Sequence, residues 1–233
     1  MNDATSTTIM DSTAGGHTGQ KDGVGNPMET PDGKIGKAQD FNQDGITIDN
    51  SDDFSMTDGV SDVPFTFDVW INPTAINNHH NLLTKDGQEG REYYFEIYGA
   101  ANPRFVQILL LDNNAGTYIS AKYYYNFQTN IWYQLTVTYD GSGSTSGFKL
   151  YLNGVPTAWS ETSGNGYIKM RHTTTPLFMA KYNYADPKYY YGIMDEVRVS
   201  KGITRDLGWI STSYLNQNDP ASFISVGPEE PGP

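Results

Sequence analysis

Residues 189–199 read Tyr189-Tyr190-Tyr191-Gly192-Ile193-Met194-Asp195-Glu196-Val197-Arg198-Val199, and their composition is that of a β-strand. Aromatic and β-branched residues dominate, no helical period is present, and one acidic pair interrupts an apolar run. Strict alternation predicts Ile193, Asp195, Val197 and Val199 on one face, with Met194, Glu196 and Arg198 on the other. A carboxylate on the side of core valines needs a partner: a cation, an arginine or backbone donors.

The same signature repeats back along the chain. Phe65, Phe67, Val69 and Ile71 alternate until Pro73 stops them. Arg91 to Tyr98 sets Tyr93, Phe95 and Ile97 against Tyr94, Glu96 and Tyr98, so both faces are aromatic. Phe105 to Leu111, Tyr118 to Tyr125, and Leu135, Val137 and Tyr139 follow. Phe148, Leu150 and Leu152 lead into Asn153-Gly154, a tight hairpin turn. Thr204 to Trp209 reads as one helical turn or a short helix. Residues 1 to 34 are polar and glycine-rich and, if ordered, must lie on a preformed core. Many short strands, turn residues between them and no long helix predict an all-β sandwich. No linker-like gap divides 38–199, which favours one domain.

The chain has 233 residues, and its net charge of -12 argues against a nucleic-acid phosphate backbone as partner. There is no cysteine, so no disulfide holds the fold. No apolar run reaches bilayer length and no basic-then-apolar start marks a signal peptide. The sequence therefore reads as an excised module without membrane insertion. Its anomaly is tyrosine: 17 Tyr beside 10 Phe and 4 Trp, an excess suited to half-exposed sheet faces and contact loops.

Five motifs in order resemble a known family. They are Gly33-Lys34-Ile35-Gly36-Lys37-Ala38 with Phe41, Phe65 to Pro73, Trp132 to Asp140, Leu150-Tyr151-Leu152-Asn153-Gly154, and Met194 to Val199. Together they resemble the laminin G-like branch of the concanavalin A-like lectin/glucanase superfamily, in the form found as modules of large bacterial and archaeal surface proteins. The resemblance implies a jelly-roll sandwich of two curved antiparallel sheets, non-catalytic, binding a glycan or a cell-surface protein and often holding calcium. It divides the chain into a glycine-rich segment 1–32 packed on the sandwich, a core 33–215 and an extension 216–233. It also implies an extracellular or cell-surface module, monomeric in isolation. An apolar first strand is usual in the family, and only Ile9-Met10 stands there.

For a cation, Asp11 and Asp195 offer carboxylates, and Gly15, Gly16 and His17 offer carbonyls where glycine lets the chain curl. The resemblance brings this early loop near the last strand and makes the ion Ca2+. The alternative is that Asp11 caps a turn and Asp195 accepts from backbone N–H or from Arg198. Asp40-Phe41-Asn42-Gln43-Asp44-Gly45 satisfies half of a calcium-loop pattern, but Ser51 stands where a glutamate is required, which favours a hairpin turn.

A sugar site needs a ring against the apolar face of the sugar and amides or carboxylates for its hydroxyls. Tyr124, Tyr125 and Asn126, and Tyr182, Tyr184, Asp186 and Tyr190, have that composition, with Arg171, His172, Asn113 and Asn114 as further polar groups. Within each tyrosine triplet the middle ring faces opposite to its neighbours, so some rings of each triplet are structural. Tyrosine-rich faces serve protein contacts equally, which keeps a structural or protein-contact module as the alternative. A glycoside hydrolase needs two carboxylates across one sugar. Asp195 and Glu196 are adjacent and face opposite ways, and Glu92 and Glu96 lie about 13 Å apart in an extended strand.

Overall fold

In the computed structural model, residues 7–23, 25, 27–112, 116–182, 188–223 and 227 are described. The alternating segments form β1 (Thr8–Ile9), β2 (Gly19–Gly23), β3 (Met28–Thr30), β4 (Ala38–Asn42), β5 (Asp44–Ile48), β6 (Phe65–Pro73), β7 (His79–Gly87), β8 (Gly90–Tyr98) and β9 (Phe105–Leu111). The second half supplies β10 (Tyr118–Tyr124), β11 (Tyr133–Tyr139), β12 (Phe148–Leu152), β13 (Val155–Thr157), β14 (Glu161–Asn165), β15 (Leu177–Met179), β16 (Lys181–Tyr182), β17 (Lys188–Tyr189) and β18 (Tyr191–Lys201). Helices α1 (Leu207–Asn218) and α2 (Pro220–Phe223) follow.

Two large sheets result. One has nine strands in the order β1-β2-β5-β15-β7-β8-β9-β10-β14, the other seven in the order β13-β12-β11-β6-β18-β4-β3. The strand pairings in both are antiparallel. This is an all-β fold consistent with a jelly-roll sandwich. Phe65, Phe67, Val69 and Ile71 of β6, with Leu135, Val137 and Met194, share one core with Tyr93, Phe95, Ile97, Val106, Ile108 and Leu110 of the nine-stranded sheet. The polar N-terminal residues are held by backbone pairing: β2 lies along β5 and β3 along β4.

The last strand departs from strict alternation. Asp195 pairs with Trp70 and Arg198 with Asp68, with a register shift between them, and Glu196 takes φ 50°. This bulge gives β18 one residue more than β6 at that point. Asp195 therefore lies on the outer face with Trp70, Asp68 and Arg198, while Val197 and Val199 pack against the core. The expectation that Asp195 shares a face with those valines is corrected by this one extra residue.

Thr204 to Trp209, read as one helical turn or a short helix, leads into α1, which begins at Leu207 and runs on to Asn218. Asp206 caps it, accepting from Trp209 N at 2.8 Å. Its partner is Trp70 on the outer face of the seven-stranded sheet. Tyr214 stacks on that indole at 5.5 Å, Trp132 meets it edge-on at 6.3 Å, and Lys34 Nζ lies 4.6 Å from its centre. The indole Nε1 donates to Gln217 Oε1, so the buried ring keeps a hydrogen-bond partner.

Candidate functional site

The outer face of the nine-stranded sheet carries the candidate site. Register sets His79, Tyr98, Phe105 and Tyr124 directly opposite one another on β7, β8, β9 and β10. Directly opposed residues project to the same side, so four rings form one rung. Centroid separations are 4.2 Å for His79–Tyr98, 5.1 Å for Tyr98–Phe105 and 5.7 Å for Phe105–Tyr124. With strands about 4.8 Å apart, the rung runs about 14 Å across the sheet. His79, Tyr98 and Phe105 are half-buried, and Tyr124 is 37% exposed.

Two residues along each strand lies a polar rung: Asn81, Glu96, Gln107, Lys122 and Glu161 on β7, β8, β9, β10 and β14. The two rungs are tied together. His79 Nδ1 is 3.0 Å from Glu96 Oε2, and the Tyr124 hydroxyl donates to Glu161 Oε2 at 2.7 Å. Lys122 Nζ lies 3.6 Å from Glu161 and 5.1 Å from the Phe105 ring centre. The Tyr124 hydrogen bond, then the charge of Lys122, hold the Glu161 carboxyl below its usual range. Asn81, Glu96 and Gln107 are buried, so Lys122 and Glu161 are the members of the row that a ligand can reach beside the rings, a pairing that suits a ligand with one apolar and one hydroxylated side. At the β14 edge of the sheet, a separate cleft of about 280 Å³ is lined by Ser144, Thr145, Thr162, Ser163 and Tyr167 together with Ile119.

The expected ligand residues divide. Tyr124 is in the aromatic rung. Tyr125 faces the other way, stacked on Tyr123 at 5.9 Å and edge-on to Phe127, against the core. Asn126 is exposed beyond the end of β10. Tyr190 is corrected outright. It is fully buried, its ring lies against Phe41 and His80, and its hydroxyl donates to Ile193 O at 3.2 Å. Arg171 is half-buried beside Gly90, at the far end of β8 from Tyr98 and about 25 Å from the aromatic rung. Tyr182 is half-buried near Arg91 and Tyr94, mid-face. Tyr184, Asp186, Asn113 and Asn114 lie outside the described residues.

Around Tyr182 the face is charged. Lys181 Nζ sits 2.7 Å from Asp22 and 5.0 Å from the Phe178 ring centre, and Arg91 Nε lies 2.9 Å from Asp86 Oδ2. Burial pushes the Asp86 carboxyl up to about 6, against the pull of Arg91.

The expected cation ligands take protein donors. Asp11 accepts from Thr13 N at 2.8 Å, Thr13 Oγ1 at 2.9 Å and His17 N at 3.0 Å. Burial alone would raise its pKa, but these bonds and nearby His17 carry it below the usual value. The Gly16 carbonyl accepts from Thr18 N, and His17 Nε2 is 2.9 Å from Asp53 Oδ2. Asp195 is fully buried in the other sheet, accepting from Ile35 N at 2.9 Å and Glu196 N at 2.8 Å. Among the described residues no group of three or more His, Asp or Glu side chains is placed to hold a metal ion.

Sequence reasoning missed His79, Tyr98, Phe105 and Glu161 as members of one surface. Tyr98 carried a signal, since its strand reads as aromatic on both faces. The other three became visible only through register.

Residues 40–205 match the family described as the concanavalin A-like lectin/glucanases superfamily. The chain belongs to this superfamily. No curated protein matches it in sequence. Among solved structures, this superfamily member is similar to domain 4 of AbnA, a GH43 extracellular arabinanase from Geobacillus stearothermophilus, in complex with arabinotriose. The TM-score is 0.63 at 20% identity, covering 88% of this chain and 96% of that one. It is also similar to a structure of botulinum neurotoxin type C whose description says that cell entry depends on interaction with two ganglioside molecules. There the TM-score is 0.61 at 12% identity over 91% of this chain and 51% of that one. The binding domain of botulinum neurotoxin DC in complex with rat synaptotagmin II gives 0.55 at 11% identity over 90% of this chain and 45% of that one. These identities speak to a shared fold. The superfamily member spans about half of either toxin chain.

Proposed function

We propose that this protein is a non-catalytic carbohydrate-binding or adhesive module of an exported multidomain protein, acting at the cell surface or outside the cell. The observation that carries the reading is the paired rungs: four rings in register beside a row of amide and charged groups. The rung supplies partly exposed aromatic surface, and the Lys122 and Glu161 end of the second row supplies hydroxyl partners. Superfamily membership is in keeping with it, and the arabinotriose bound to the arabinanase domain makes arabino-oligosaccharides the first probes.

The same geometry argues against hydrolysis on this face. Glu96 and Glu161 stand three strands apart in one rung, about 14 Å. Glycosidases need roughly 5–5.5 Å for retention or about 6.5–9.5 Å for inversion.

The test is binding to a broad panel of immobilised glycans, followed by calorimetry with any that bind. Saturable binding weakened by Tyr98→Ala and Tyr124→Ala supports the proposal. No binding across the panel, or binding indifferent to both substitutions, removes it. Calcium stabilisation is a separable part of the reading, motivated by the family resemblance. An ion bound only by the folded state raises the melting temperature as free metal rises. Equal melts in excess calcium and in EGTA eliminate that part.

A further inference from the structure

A second constellation lies inside the sandwich, near the short 3-10 turn at Asp52–Phe54. Lys85 on β7 pairs with Tyr93 on β8, Asp86 pairs with Arg91, and the register shifts between them. Glu92 is the extra residue, and the bulge turns it inward beside Lys85; both side chains are fully buried. Lys85 Nζ lies 2.7 Å from Glu92 Oε1, 2.9 Å from Asn50 Oδ1 and 3.2 Å from Thr173 O. Glu92 Oε1 also takes Thr173 N at 2.7 Å, Thr173 Oγ1 at 2.8 Å and Ser55 Oγ at 3.2 Å. Its other oxygen, Oε2, is buried with no hydrogen-bond partner among the described residues.

A plain ion pair does not account for this arrangement. A buried pair gains little over apolar residues of similar volume, and a carboxylate oxygen without a donor adds a cost. The group beside the pair is a carboxamide, whose carbonyl carbon lies one bond beyond the oxygen that Lys85 approaches. A buried amine and carboxylate with a carboxamide held against the amine are the components of a transamidation.

We propose that Lys85 and Asn50 close an intramolecular amide cross-link, with Glu92 carrying the protons. The Glu92 carboxylate takes a proton from the Lys85 ammonium, and burial, which lowers the lysine pKa, favours the neutral amine. The amine nitrogen adds to Cγ of Asn50, and the carbonyl π-pair moves onto Oδ1. Glu92 then protonates Nδ2 as the C–Nδ2 bond breaks and the carbonyl re-forms, releasing ammonia. The remaining extra proton on the new amide nitrogen passes through Glu92 to that ammonia, which leaves as ammonium. Glu92 ends as a carboxylate, and no oxidant or cofactor is consumed. The bond ties the exposed loop after β5 to β7, two strands that β15 separates. It is independent of the carbohydrate reading.

Intact-mass spectrometry of the full chain tests it. The expected mass is lower than the sequence mass by one ammonia, and digestion yields a branched peptide joining Asn50 to Lys85. Asn50→Ala, at an exposed position that leaves the Lys85–Glu92 pair in place, restores the full mass while the protein stays folded by circular dichroism. Glu92→Gln and Lys85→Met also restore it. A wild-type chain at full mass after prolonged incubation overturns the proposal. So does an ammonia loss that persists in Asn50→Ala or gives no branched peptide, since that marks a succinimide elsewhere.

Discussion

Tyr98 and Phe105 face each other across β8 and β9 as direct register partners, their rings stacked 5.1 Å apart. Tyr98 also meets His79 edge-on, so removing its ring opens a gap in the middle of the rung. Tyr98→Ala is expected to weaken glycan binding by about tenfold, the effect of about 1.4 kcal/mol. Tyr124→Phe keeps the ring and loses only the hydroxyl bond to Glu161, so it should weaken binding less than Tyr124→Ala. Calorimetry on the four proteins orders them.

Two buried groups give stability opposite pH dependences. His80 is buried and accepts backbone N–H from Asn77 at 3.2 Å, and burial lowers its pKa to about 4. Between about 4 and 6.5 the unfolded chain binds the proton more readily, so this group's contribution is lost as pH falls. Asp86 is shifted the other way, up to about 6, so its folded form binds the proton first and its contribution grows as pH falls toward 4. Each effect is worth about 3 kcal/mol at full extent, and they offset. Asp86→Asn should therefore become acid-sensitive between pH 6 and 4, whereas His80→Gln should be less acid-sensitive than the wild type. Urea unfolding at several pH values measures both slopes.

The Trp70–Tyr214 stack fixes α1 to the seven-stranded sheet. Tyr214→Ala uncovers an indole that is 1% exposed. The expected cost is about 2–4 kcal/mol of unfolding free energy. A red shift of tryptophan emission before the main unfolding transition would show α1 detaching first.

Gln43 alone connects β4 to β5 and stands at φ 58°. An L-residue there carries a left-handed cost that glycine avoids, partly offset by the greater freedom of glycine in the unfolded chain. Gln43→Gly should raise stability by about 0.5 kcal/mol, read from the urea midpoint at an unchanged slope.

Much of the architecture was legible because alternation is a local property. Phe65 to Ile71 and Leu135 to Tyr139 show their buried faces in sequence, whereas the hairpin expected from Asp40 to Gly45 is instead a one-residue crossing at Gln43 from the seven-stranded to the nine-stranded sheet. What failed to show depends on partners distant in the chain. The extra residue at Glu196 cannot be read from β18 alone, because a bulge is defined against β6. The polar segments β2 and β3 carry no apolar period and are strands through backbone pairing with β5 and β4. Tyr124 and Tyr190 look alike in composition, yet one projects outward from β10 and the other fills the core. Asp11 and Asp195 were grouped by family resemblance, and each is satisfied in its own surroundings by protein donors.

The rung from His79 to Tyr124 draws one ring from each of four strands, so its spacing is inherited from backbone pairing. A slip of β9 by one residue would offer Val106 and Ile108 to the ligand in place of Phe105 and Gln107. On the proposed reading, recognition on this face would work like a ruler whose graduations are peptide hydrogen bonds. Substitutions deep between the sheets can erase binding while leaving every surface ring chemically intact.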